Sequence, residues 1–215
     1  MYDRILDSER GVTGLHRVVE HYRRIYLACE EEDRRFYESL DLGKAIYAAG
    51  HLLRHDGQRH DHARTCSGAT LDLFTSRLQE RSTELAEHKA FPAVHATIAE
   101  AAGGSLAPHL QYDAALMLSW HLGLEPAEVW LHSGAAKGYL YLGVPEGHEK
   151  TTVALDELPR AFRELDAWQV EDILCIYKLC FRRIRNGGKV TDQLLRKREN
   201  AQGMRCGHPH CTAAC

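Results

Sequence analysis

The sequence predicts an all-α protein, a compact single-domain bundle of about seven to eight helices, and three observations carry that reading. Apolar residues recur at three-and-four spacing along most of the chain, the period of one buried helical face. No alternating run exceeds a few residues, so strands find no signal. No βαβ spacing is present, nor any repeat in the range of about 20 to 50 residues that marks solenoids and propellers.

From Thr13 to Leu40 the positions Leu15, Val18, Val19, Tyr22, Ile25, Tyr26, Cys29 and Phe36 form one stripe. Asp41 can cap a second helix running through Ile46, Tyr47, Leu52 and Leu53. His55 to Ser67 is polar, holds Gly57 and reads as a loop. Leu71, Phe74, Leu78 and Leu85 mark the next stripe, ending near Lys89. Pro92 suits the first turn of another helix, which Gly103-Gly104 stops. Tyr112 to Leu122 is apolar nearly all round and should be the most buried helix; Gly123 ends it. Pro126 opens a turn into Val129-Trp130-Leu131, and a short helix follows from Ser133 to Leu142. After a loop over 143–152, Asp166 and Gln169 have capping-box spacing and open a helix carrying Val170, Ile173, Leu174, Tyr177 and Phe181. Asn186-Gly187-Gly188 breaks it, and Thr191 to Asn200 makes a last, basic helix. The expected organisation is a lead over 1–12, a helical core over 13–184, the basic helix over 185–201 and a loose Cys/His-rich tail over 202–215.

With 44% hydrophobic and 27% charged residues in 215, the composition excludes a disordered chain, a collagen-like repeat and a coiled-coil rod. No stretch approaches the roughly 20 apolar residues of a membrane span, and the start has no apolar signal region. No membrane partner is expected. Seven cysteines, an odd count, are not spread as a secreted disulfide framework, which favours a reducing cytoplasm. Cys29, Cys175 and Cys180 sit in apolar helical patterns as small packing groups.

Fourteen histidines are the unusual number. His51, His55, His60 and His62 fall within twelve residues, with Asp56 and Asp61 between them. His51 and His55 are four apart, as paired metal-binding histidines on a helix often are, but Leu52-Leu53-Arg54 lacks the glutamate of the metalloprotease motif. His60 and His62 point the same way if their segment is extended. Imidazole with carboxylate suits zinc or another divalent transition metal, and a histidine beside an aspartate is equally a general base with its orienting partner. A solvated surface loop is the plain alternative. Downstream, Asp113 leads into the most apolar helix, where an acid needs a partner or acts as a cap. His132 precedes a helix start with Lys137 one turn in. Gly134-Ala135-Ala136-Lys137-Gly138 is no phosphate-binding loop, and no dinucleotide, kinase or serine-hydrolase signature is found.

Taken together, His60-x-His62-x-Arg64, Tyr112-Asp113-x-Ala115, Val129-Trp130-Leu131-His132-x-Gly134 and Glu171-Asp172-Ile173-Leu174-Cys175-Ile176-Tyr177-Lys178 resemble a family of uncharacterised bacterial all-helical proteins. The resemblance covers roughly residues 40 to 180. It implies an all-helical fold and a bacterial origin, and carries no activity over. After Tyr-Asp that family reads Ala-Leu-Arg-Ile-Gly, whereas this chain has Ala115-Leu116-Met117-Leu118-Ser119 and drops the arginine.

Two further segments stand out. Lys178 to Arg198 holds eight basic residues against one acid, a local +7 that leaves −10 on the rest. Arg182, Arg183, Arg185, Arg196, Lys197 and Arg198 are therefore candidates for nucleic-acid contact, or cations on a solvated helical face. In the tail, Cys206, His208, His210, Cys211 and Cys215 offer a thiolate–imidazole set for metal, though only half of a usual zinc module.

The expected function is a cytoplasmic hydrolase, metal-assisted or histidine-dependent, whose substrate the sequence does not name; the basic segment favours a nucleotide or nucleic acid over other small molecules. Asp56, His60 and His62 would supply ligands or a base, His51 and His55 further ligands, and Asp113 and His132 would converge on them. The alternatives are a non-catalytic nucleic-acid-binding or regulatory protein using the 178–198 segment and a metal-handling or protein-interaction protein using the Cys/His tail.

Overall fold

The computed structural model of the protein describes residues 9–143 and 150–201, with side chains over 11–143 and 150–197. The fold is all-α. Among the described residues eleven α-helices accompany one two-stranded sheet. The expected first stripe is two helices, α1 (Glu9–Ile25) and α2 (Leu27–Ser39), parted at Tyr26. Asp41 caps α3 (Leu42–Gly50) by accepting from the Lys44 amide at 2.9 Å. Then come α4 (Gly68–Glu80), α5 (Ser82–Glu87), α6 (Phe91–Ala102) and α7 (Pro108–Leu122). Gly103 and Gly123 take the left-handed conformation that closes α6 and α7.

Strand β1 (Val129–Trp130) pairs antiparallel with β2 (Thr152–Val153), and α8 (Ser133–Tyr141) lies between them in sequence. Helix α9 (Ala167–Ile176) starts as expected, with the Asp166 amide donating to Gln169 Oε1 at 3.1 Å. Tyr177 splits the expected single helix into α9 and α10 (Lys178–Arg185), and α11 (Asp192–Ala201) follows.

The core expected over 13–184 is organised as two compact units. One comprises residues 29–126. Here α3 packs on α4 and α7, and α6 lies against α7 and α4. Helix α7 is buried from Ala114 through Trp120, as its all-round apolar sequence requires. Cys29 is buried in this unit and disulfide-bonded, which corrects its reading as a packing thiol.

The other unit comprises residues 1–28 and 127–215. Its core joins Leu15, Val18 and Tyr22 of α1 to Phe162, Ile173, Leu174 and Phe181. Helices α8 and α9 approach closely at two glycines. A Cβ on Gly134 would overlap Cys175 Sγ, and one on Gly138 would overlap the Leu174 carbonyl. Cys175 and Cys180 carry free thiols. Among the described residues no helix is long and apolar enough to cross a membrane.

Candidate metal centre

The histidine segment owes its shape to the way α3 ends. The apolar pattern runs on through Leu52 and Leu53, but the helix stops at Gly50 and His51 caps it. Leu52 then takes a positive φ of 53°, a conformation that costs a branched side chain energy and turns the chain back. Leu53 and Arg59 form an antiparallel bridge, and the His60 amide donates to Leu52 O at 2.7 Å. Between them lies a tight tip at Gly57. Asp56 is spent there, accepting from the Gln58 amide at 2.9 Å while exposed to solvent.

Buried groups anchor this hairpin. Tyr37 on α2 donates its phenol to Leu53 O at 2.7 Å and touches Met117 Sδ at 3.4 Å. Burial, with Asp33 adding to it, pushes the Tyr37 phenol well above its ordinary pKa, so it stays a donor. Asp33, 4% exposed, accepts from Arg54 Nε at 2.8 Å, from the His55 amide at 2.8 Å and from His55 Nδ1 at 2.6 Å. His55 Nε2 is 3.2 Å from Glu32. His51 is also engaged elsewhere, with Nδ1 against Tyr47 O and Thr75 Oγ1 and Nε2 3.0 Å from Asp72. The pair expected on one helical face thus straddles a helix end.

His60 and His62 emerge from this hairpin into a short 3₁₀ turn, Asp61–Thr65. There they meet α7. Asp113 sits in its second turn, because the helix begins at Pro108; the carboxylate is therefore no helix cap. His62 Nδ1 is 2.8 Å from Asp113 Oδ2 and His60 Nδ1 is 3.5 Å from the same oxygen. One ligand atom from each of the three residues lies within 4.8 Å of the others. The rings of His60 and His62 stand edge to face at 4.8 Å, and that of His109 stands edge to face against His62 at 5.2 Å.

Access and charge suit an ion. The side chains of His60 and His62 are 31% and 38% exposed, and that of Asp113 13%. Burial pulls the His60 pKa below the ordinary value, with Asp113 opposing the shift. The imidazole is then neutral at neutral pH, the form that coordinates metal. Two nitrogens and one carboxylate oxygen match zinc, iron or manganese.

Of the sequence candidates, the structure therefore brings His60, His62 and Asp113 together and holds His51, His55 and Asp56 in other bonds. His132 belongs to the other unit, where its Nε2 is 3.2 Å from Glu171 Oε1. In the basic segment Arg183 Nε donates to Lys189 O at 2.8 Å, Arg185 to Leu140 O at 3.3 Å, and Arg182 lies over the Tyr141 ring at 5.7 Å. These exposed cations cap helix ends and line a loop, as the macrodipole favours. Arg196 and Lys197 are exposed on α11. The side chain of Arg198 and the tail residues Cys206, His208, His210, Cys211 and Cys215 lie outside the described residues.

Two residues escaped the sequence reading. His109 is four residues before Asp113, a spacing that places both on one face of α7 and could have been noticed. Asp33 carried no signal, because its partners are 21 and 22 residues away. Comparison with protein-family models, with curated proteins and with solved structures finds no match to this chain.

Proposed function

We propose that this chain is a metal-dependent hydrolase whose centre is held by His60, His62 and Asp113, with zinc or another divalent transition metal as its cofactor. The observation that supports it is the meeting within 4.8 Å of two imidazoles and a carboxylate from segments 51 residues apart. Three protein ligands leave a position for water, and a bound ion would bring the pKa of that water down to about 7. Such an ion would supply an activated water for hydrolysis of esters, amides or phosphoesters, with His60, His62 and Asp113 as the residues that would hold it. The hairpin would supply two ligands from one short segment and α7 the third, and the His62–Asp113 hydrogen bond would give way, with release of its proton, as an ion takes both groups.

The test is metal analysis of protein purified without chelator, wild type beside His62→Ala, Asp113→Asn and a chain ending at Ala201. The expected result is near-stoichiometric metal in wild type and in the shortened chain, lost in both substituted proteins. Wild type should also cleave an activated ester in a reaction that chelator stops. Metal absent from wild type, or retained in full by both substituted proteins, overturns the proposal. Metal lost only on shortening would move the site to the tail.

The 2.8 Å contact of His62 with Asp113 favours one other reading. An Nδ1–H donated to the carboxylate leaves Nε2 as a general base without metal. Hydrolysis that resists chelator and vanishes in His62→Ala would select it.

A further inference from the structure

We infer that His109 is a fourth protein ligand of this centre, completing a set of three imidazoles and one carboxylate. The inference rests on the metal reading above and adds a residue to it. His109 and Asp113 are one helical turn apart on α7, which is continuous from Pro108 to Leu122, so both side chains leave the same face. The His109 ring stands 5.2 Å from that of His62, edge to face. Its side chain is half-buried.

What distinguishes His109 is how little holds it. His62 is bonded to Asp113, and His60 is fixed at the start of the 3₁₀ turn with its amide bound to Leu52. Among the described residues the His109 ring touches that of His62 and feels the Asp113 carboxylate electrostatically, and neither ring nitrogen has a hydrogen-bond partner there. A nitrogen of His109 would join the three ligand atoms by rotation about its side-chain bonds, a move that breaks no hydrogen bond within the protein. His51 and His55, by contrast, are each held by hydrogen bonds to neighbouring carboxylates.

A fourth ligand has a consequence for chemistry. On zinc it would fill the tetrahedron, and water would enter when His109 swings away or the ion takes a fifth ligand. On manganese or iron, which take up to six ligands, two positions would stay open with His109 in place.

The experiment is a Co²⁺ titration of the full chain, wild type beside His109→Ala, with circular dichroism confirming that both are folded. Visible absorption reports coordination number, and paramagnetically shifted, solvent-exchangeable imidazole N–H proton signals count the bound histidines. The expected result is tighter binding by wild type, by at least about tenfold, together with one more shifted imidazole signal than the variant shows. Equal affinity and equal signals in the two proteins overturn the inference and leave the three-ligand centre standing. No Co²⁺ binding by folded wild type overturns both. A His109→Ala protein that fails to fold is replaced by His109→Gln, which keeps the bulk and is read by the same signals.

Discussion

Two histidine–carboxylate pairs, one in each compact unit, use the same groups in opposite settings. His62 and Asp113 meet at 2.8 Å with side chains 38% and 13% exposed, and His60 adds a second imidazole. His132 and Glu171 meet at 3.2 Å with side chains 12% and 5% exposed. Donor chemistry does not separate them, but access does. A buried pair ties elements together, here the start of α8 to α9, and costs most when one partner is removed. A half-exposed pair contributes little to stability and leaves lone pairs that an ion or a substrate can reach.

The largest expected effect tests the buried side of this contrast. His132→Ala takes the imidazole from beside Glu171 and should cost about 3–5 kcal/mol in urea unfolding, with metal content unchanged. A loss below about 1 kcal/mol, or a loss of metal, would break the contrast. A smaller effect is expected at Asp33, which supports the open pair from behind. Asp33→Asn weakens its bonds to Arg54 and His55 and should cost about 1.5–3 kcal/mol. It should also lower metal affinity by less than His62→Ala does. Affinity equal to wild type would show that the hairpin holds its ligands without Asp33.

The smallest effect is a pH dependence in the same unit. Burial lowers the pKa of His95 on α6 from its ordinary 6.5. Below that value the unfolded chain binds a proton that the folded chain resists. Stability is therefore present above the ordinary value and is lost as pH falls through the folded one. In chelator, the urea midpoint of wild type should drop as pH falls below about 6.5, and His95→Gln should flatten that slope. An unchanged slope would put the acid sensitivity on other groups.

The sequence made helix class and most helix ends legible because caps and breakers act locally. Asp41, Gly103, Gly123 and the Asp166–Gln169 pair all serve as their spacing suggests. Breaks set by tertiary contact were not legible. The apolar rhythm runs straight through Tyr26, Leu52 and Tyr177, and nothing in it shows that the chain turns there. That failure misplaced His51 and His55, which were joined on the assumption of a continuing helix. His60 and His62 were visible as a pair because they are two residues apart. Their expected convergence with Asp113 is met, although it spans 51 residues, because an acid inside so apolar a helix needs a partner; His132, expected at the same place, belongs to the other unit. Asp56 looked like a ligand by composition, yet a short acid beside a glycine turn is also what closes such a turn.

The glycines at 134 and 138 bear on how relatives of this chain would be found. Histidine and aspartate are separated by three helices and the loops that join them, which can change length, so their spacing makes a poor search pattern. The close fit of α8 on α9 allows no such drift, since any side chain at 138 meets the Leu174 carbonyl. Two glycines four apart behind a short apolar strand, with a Leu-Cys step on a later helix, therefore form a sturdier signature than the chemistry itself. A distant homologue is expected to betray itself first by that backbone contact, even where its reactive groups have been exchanged.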